Sequence, residues 1–108
     1  MLKRVQKRNG SIVDFDVKKI EEAIFAAAKS VGGDDRQVAK KLSMMSAEIA
    51  DEAFGAGVPT VEEIQDIVEK VLIEEGHAKT AKAYILYRQK HEELKKIKNL
   101  FMDAEKLV

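Results

Sequence analysis

The spacing of apolar positions in this 108-residue chain changes near residue 15. Before that point, apolar and polar side chains alternate over two short segments, Leu2 to Arg8 and Ser11 to Phe15. Alternation of this kind predicts half-buried strands, and the Asn9-Gly10 dipeptide between them is typical of a two-residue type I′ turn. The first fifteen residues therefore predict a β-hairpin.

After the hairpin, apolar side chains recur every three or four positions, which predicts helices with one buried face. Asp16 can cap a first helix, and Gly32-Gly33 is expected to end it. A second helix is predicted to begin at Asp34 or Asp35 and to end in the stretch FGAGVP. The predicted buried faces are Ile20, Ala23, Ile24, Ala27 and Ala28 in the first helix, and Val38, Leu42, Met45, Ile49 and Ala53 in the second.

Thr60 and Glu63 have the Thr-x-x-Glu spacing of a capping box, which predicts the start of a third helix that Gly76 ends. A fourth helix is predicted from near His77 to about residue 99, and its middle, from Ala83 to Tyr87, is apolar on all sides and is expected to be buried. The predicted apolar face of the third helix consists of Val61, Ile64, Val68, Val71 and Leu72.

These elements predict an α+β domain, a small bundle of four helices capped by the N-terminal hairpin. Two strands cannot cover four helices, so the hairpin is expected to lie across one end of the bundle as a lid. Val58-Pro59 leaves open a third, edge strand beside the hairpin.

Composition excludes several kinds of chemistry. The chain has no cysteine, so a disulfide, a thiolate metal site and a cysteine nucleophile are excluded within it. Equal numbers of basic and acidic residues, 19 of each, argue against a protein that coats nucleic acid. No apolar run is long enough for a membrane span or a secretory signal, so a cytoplasmic location is expected. His77 and His91 lack partners at ligand spacing, so no metal site is expected there.

Charge is unevenly distributed along the chain. Residues 1–19 carry six basic and two acidic side chains, residues 34–75 carry four and eleven, and residues 76–108 carry eight and four. If the fold brings the two positive segments together, they form a local anion site. Lys7 and Arg8 sit directly before the predicted turn, where cations commonly protect an edge strand from aggregation and can alternatively bind an anion.

Two stretches, VQKRNGSIVDFDVKKI and VPTVEEIQDIVEKVLIEEGHAKTAKAYILYR, resemble the beginning and the end of an ATP-cone. This family is the small nucleotide-binding regulatory domain at the N-terminus of ribonucleotide reductases. Its pattern begins Val-x-Lys-Arg-Asp-Gly, with Asn9 replacing the Asp here, and ends with Ala-Lys-x-Tyr-Ile-x-Tyr-Arg. The resemblance implies a cone over residues 1–92 and a helical extension over 93–108 that leads to the rest of the enzyme, similar to anaerobic-type reductases.

The resemblance also implies a nucleotide site. Lys7 and Arg8 would hold the phosphates of ATP or dATP under a lid strand, with Mg²⁺ bound mainly by the triphosphate itself. Tyr84 and Tyr87 are interpreted as core residues and not as platforms for the base. The other implied site residues are Val5 against the nucleotide, Asp16 near the base, Lys19 and Thr60 at the phosphates, Gln65 at the sugar, and Arg88 with Lys90 near the phosphates.

The function implied by the resemblance is allosteric control of a ribonucleotide reductase by ATP and dATP. The chain itself is expected not to be an enzyme, because catalysis in those reductases needs cysteines. Its implied partners are adenine nucleotides, the remainder of the reductase or another subunit, and a further copy of the chain. Two alternatives are the cone of a nucleotide-responsive transcriptional repressor, whose zinc ribbon needs cysteine pairs absent here, and a stand-alone nucleotide-sensing adaptor.

Overall fold

A computed structural model of the chain describes residues 2–106, with the side chains of 2–94 and 96–98. The predicted α+β class, a hairpin followed by four helices, is confirmed in this part of the chain. In chain order the elements are β1 Arg4–Gln6, β2 Ile12–Asp14, α1 Val17–Ser30, α2 Arg36–Phe54, α3 Val61–Glu74 and α4 Ala78–Lys106.

The hairpin turn differs from the predicted type I′ turn. The carbonyl of Lys7 accepts from Gly10 N at 2.9 Å, and Lys7 N donates to the carbonyl of Ser11 at 2.8 Å, which leaves a three-residue loop. Gly10 has a φ of 88°, whereas Asn9 lacks the positive φ that a type I′ turn requires. Asn9 instead accepts from Ser11 N through its side chain, at 2.9 Å. As a result, Arg8 belongs to the loop itself.

In place of the possible third strand, the hairpin makes a single backbone bridge to a neighbouring segment of the described chain. β1 and β2 pair antiparallel in a two-stranded sheet. Beside them, Gln6 N donates to the carbonyl of Pro59 at 2.9 Å, and Gln6 forms an isolated parallel bridge with Thr60. The ladder stops there because proline has no N–H and the N–H of Thr60 bonds to Glu63 Oε1 at 3.0 Å.

α1 and α3 begin as predicted. Asp16 caps α1 by accepting from Lys18 N at 3.0 Å. Thr60 and Glu63 form the full capping box at the start of α3. The predicted buried faces are confirmed at Ile20, Ile24 and Ala27 of α1, and at Ile64, Val68, Val71 and Leu72 of α3.

The predicted face of α2 is confirmed at Leu42, half-buried against the core at Val38 and Met45, and wrong at Ile49 and Ala53. Ile49 is 41% exposed, and Ala53 is also exposed. α2 packs against both α1 and α3, and small side chains allow these close approaches. Ser43 and Ser46 are buried because their hydroxyls donate to carbonyls of α2 itself. The residues buried on α2 are Ala39, Leu42, Ser43, Ser46 and Ala50.

The middle of α4 is buried on one side and not all round, so this prediction is also wrong. Ala81 and Tyr84 are buried, whereas Leu86 and Tyr87 are 56% and 41% exposed. α4 packs against α1 and α3, which cover a single face. The helix continues without interruption past residue 92, where a domain boundary was predicted.

The hairpin packs on the same core as the helices. α1 and α3 each contact both α2 and α4, so the four helices enclose one core, in which Ile24, Val68 and Leu72 are almost completely buried. Leu2 and Val5 join this core from the hairpin. Among the described residues, no helix has the length and apolarity to cross a bilayer.

Candidate anion site at the hairpin tip

The hairpin tip meets the start of α3 and the middle of α4. The bridge between Gln6 and Thr60 brings β1 to the residue that caps α3. Arg8 Nε then donates to Glu62 Oε1 at 2.6 Å, and Arg8 Nη2 donates to Glu92 of α4. One guanidinium therefore joins the loop of the hairpin to two helices.

The ion pairs of Arg8 are at the surface. The side chains of Arg8, Glu62 and Glu92 are 54%, 33% and 32% exposed. The hydrogen bond to Glu62 raises the pKa of Arg8. Burial works to raise the pKa of Glu62, but a backbone hydrogen bond and the Arg8 guanidinium outweigh burial and lower it. Exposed ion pairs contribute little to stability, so these contacts can exchange for others.

The N-terminus of α3 supplies a second group of hydrogen-bond donors. Thr60 Oγ1 accepts from Glu63 N at 3.1 Å, and Thr60 donates to Glu63 Oε1 from both its backbone N–H, at 3.0 Å, and its hydroxyl, at 3.1 Å. The Thr60 groups predicted to bind phosphate are thus engaged by Glu63 in this structure. A helix N-terminus favours negative charge, whether from a carboxylate or from a phosphate.

The lysines predicted to bind the nucleotide are placed differently from the arginines predicted to bind it. Lys7, Lys19 and Lys90 are exposed, and in the part of the chain that the structure describes none of the three forms an ion pair. Arg88 is only 15% exposed and pairs with Glu69 and Asp66 of α3, with its Nη1 at 3.4 Å from Asp66 Oδ1. Arg88 therefore joins α4 to α3.

Asp16 and Lys19 lie together where α1 faces α4. Both line an open depression of about 510 Å³ formed by α1 and by Tyr87. The prediction that Tyr87 belongs to the core is wrong, since its ring is exposed and contacts His91 edge-on at 4.4 Å. Tyr84 is buried as predicted.

The remaining two predicted site residues are at least half-buried. Val5 is buried in the core, so its side chain packs against the helices. Gln65 is half-buried on α3. The structure thus brings Arg8 close to Thr60 at the hairpin tip, places Asp16 with Lys19 at the depression, and holds Arg88 on α3.

Glu62 and Glu92 were not predicted from the sequence as partners of the hairpin tip. Glu62 has a local signal, because an acidic residue in the first turn of a helix complements the helix dipole. Glu92 belongs to the stretch HEELKK, whose charges suggest pairs within one helix. Neither signal identifies Arg8, which is 54 residues from Glu62 and 84 from Glu92.

The donors at the tip suit an anionic ligand better than a metal ion. Lys7 and Arg8 supply positive charge beside the N-terminus of α3, an arrangement that fits phosphate oxygens. Among the described residues, no group of three or more His, Cys, Asp or Glu side chains is placed to hold a metal ion.

Comparison with known proteins matches most of the chain to one family. The sequence model of the ATP cone domain matches residues 3–93. The chain is 40% identical over 97 residues to the vitamin B12-dependent ribonucleoside-diphosphate reductase of Mycobacterium tuberculosis, covering 90% of this chain and 13% of that protein.

Two other relatives show the same partial coverage. The anaerobic ribonucleoside-triphosphate reductase of Escherichia coli is 35% identical over 88 residues, which cover 82% of this chain and 12% of that protein. The ribonucleoside-diphosphate reductase subunit alpha of Treponema pallidum is 40% identical over 87 residues, or 76% of this chain and 10% of that subunit. The chain therefore spans only a small part of the length of these relatives.

Proposed function

This chain belongs to the ATP cone domain family, and we propose that it is an allosteric regulatory domain that binds ATP and dATP and controls the overall activity of a ribonucleotide reductase. The observation that carries this proposal is the position of Arg8, which the bridge between Gln6 and Thr60 brings to the N-terminus of α3. Cations held at a helix N-terminus form a site for phosphate.

In this proposal the phosphates bind at the hairpin tip. Lys7 and Arg8 contact phosphate oxygens from the hairpin, and Thr60 offers its hydroxyl and backbone N–H from the start of α3. Lys19, Arg88 and Lys90 add positive charge from α1 and α4. Mg²⁺ accompanies the triphosphate and is held mainly by its oxygens.

The rest of the nucleotide is proposed to lie against the helices. Asp16 is placed near the base and Gln65 near the sugar. Val5 acts from β1, where its buried side chain fixes the strand on the core and leaves its backbone next to the ligand. A nucleotide in this position contacts both the hairpin and the bundle, so its binding can change the position of the hairpin relative to the helices.

Control of a reductase requires that ATP and dATP act differently. The two effectors differ by one hydroxyl, so the site switches the enzyme only if that group changes the relative free energy of two arrangements of the domain. The partners that sense the change are proposed to be the remainder of the reductase, another subunit or a second copy. With no cysteine, this chain is proposed to regulate the reaction and not to catalyse it, in the cytoplasm.

Isothermal titration of the chain with ATP and with dATP, each with Mg²⁺, tests the proposal. Saturable binding of both nucleotides is expected, and GTP serves as the control for adenine recognition. A nucleotide at 100 times its Kd should raise the free energy of unfolding by about 2.7 kcal/mol. Absence of binding heat, together with a thermal melt that millimolar ATP and dATP leave unchanged, would contradict the proposal.

A further inference from the structure

The arginines and lysines assigned to the nucleotide differ in one respect. Each arginine is held by two carboxylates, Arg8 by Glu62 and Glu92, and Arg88 by Asp66 and Glu69. The hydroxyl and N–H of Thr60 are likewise bound by the carboxylate of Glu63. In this structure, carboxylates therefore occupy the donors that phosphate would use.

We propose that Glu62 and Glu92 form a carboxylate latch on Arg8, which an incoming phosphate must displace. This inference rests on the proposed nucleotide function and adds two residues that oppose binding. A phosphate group offers Arg8 the same kind of oxygen acceptor as a carboxylate does. Binding thus exchanges one set of anionic partners of the guanidinium for another.

Two features make Glu62 and Glu92 competitors of phosphate. Arg8 donates to them from Nε and Nη2, which removes two of its five N–H donors from the ligand. Both carboxylates also place negative charge beside the position where the phosphates would lie, and like charges repel. Because the three side chains are partly exposed, the contacts are weak enough to break on binding.

The latch also couples nucleotide binding at the hairpin tip to α4. Without nucleotide, Glu92 ties α4 to the hairpin tip through Arg8, while Glu62 ties α3 to it. When phosphate takes Arg8, both carboxylates lose their cation and the tip loses its side-chain contact with α4. The charge that α4 presents near Glu92 then depends on whether nucleotide is bound.

The test is the ATP affinity of the full chain carrying Glu62→Gln with Glu92→Gln, measured by isothermal titration. Glutamine keeps the shape of the side chain and removes its charge. We expect the affinity for ATP to rise about tenfold. A control with Glu74→Gln and Glu93→Gln, two exposed carboxylates, makes the same change in net charge and should shift the affinity by less than about twofold.

A second comparison shows whether the gain acts through Arg8. In a chain that already carries Arg8→Gln, neutralising Glu62 and Glu92 should raise ATP affinity by clearly less than about tenfold, because the repulsion of phosphate remains but the latch has no cation to hold. An equal gain with and without Arg8 would mean that the two carboxylates act only through the general field, and the latch would be wrong.

The remaining outcomes separate the latch from the nucleotide proposal. If the unmodified chain binds ATP and the double variant binds equally or more weakly, Glu62 and Glu92 position Arg8 for phosphate and the latch is overturned alone. If none of the proteins binds ATP, the nucleotide proposal fails, and the latch fails with it.

Discussion

Gln6 and Thr60 are joined by a parallel bridge, in which Gln6 N donates to the carbonyl of Pro59 over 2.9 Å. This contact fixes the end of β1 beside the residue that caps α3. Lys7 and Arg8 follow Gln6 directly, so the bridge sets where these two cations lie. This backbone contact thus helps to position the candidate site by joining segments far apart in the sequence.

The Thr60 cap is expected to stabilise the fold through its side-chain oxygen. Thr60→Ala removes the acceptor for Glu63 N and should lower the free energy of unfolding by about 1 kcal/mol, whereas Thr60→Ser keeps the oxygen and should cost only a few tenths. Urea unfolding followed by circular dichroism measures both values. Equal losses in the two variants would show that the threonine methyl, and not the cap, carries the effect.

The close packing of α2 predicts a contrast between two positions on that helix. Ser46 is 1% exposed, so Ser46→Leu should overfill the core and lower the free energy of unfolding by about 1–3 kcal/mol. Ile49 is 41% exposed, and Ile49→Ala should cost well under 1 kcal/mol. Chemical denaturation compares the two variants. If Ile49→Ala instead lowered the free energy of unfolding more than Ser46→Leu, the buried face of α2 would be the one that the apolar pattern predicts.

Local signals in the sequence predicted the elements where capping and periodicity agree. α1 and α3 have a capping residue at the start, a three-and-four spacing of large apolar side chains, and glycine after the end. Both helices therefore begin, end and face the core as expected. The bounds of α2 were also predicted, from Asp35 to the FGAGVP stretch, but part of its buried face was not, because hydrophobicity favours Ile49 over Ser46 and does not register how closely a small side chain lets helices approach.

The candidate site was predicted only in part for a related reason. Sequence pattern places Lys7 and Arg8 at a turn and Thr60 at a helix start, and the fold brings these two places together. Pattern does not identify the partners of Arg8, because ion pairs between distant segments leave no periodic trace. The turn type also depended on a side-chain bond, from Ser11 N to Asn9 Oδ1, that competes with the type I′ geometry.

Tyr84 should make the stability of the domain fall at alkaline pH. Burial raises the pKa of its hydroxyl from 10.0 to about 12. Because the folded pKa is the higher one, the folded state keeps the proton longer, so this stabilisation is complete below pH 10 and is lost as pH rises through 12. Relative to Tyr84→Phe, the native chain should lose roughly 2–3 kcal/mol over this range. Parallel pH dependences of unfolding in the two proteins would show that the hydroxyl is not buried in solution.

The most direct test of the nucleotide site compares two pairs of cations on the same hairpin. Lys7→Ala with Arg8→Ala removes the side chains assigned to phosphate. Since charge-assisted bonds to phosphate are among the stronger hydrogen bonds, ATP affinity should fall at least about a hundredfold. Lys3→Ala with Arg4→Ala is the matched control, because both side chains are exposed and equally charged but lie before the tip. This control should weaken binding by no more than about threefold.

Isothermal titration of ATP into these two double variants and the unmodified chain is the decisive measurement. We expect a large loss of affinity for the pair at residues 7 and 8, a small loss for the pair at 3 and 4, and unchanged circular dichroism in both. Equal losses in the two variants would mean that the hairpin attracts nucleotide only through its net charge, which would contradict a positioned phosphate site at Lys7 and Arg8.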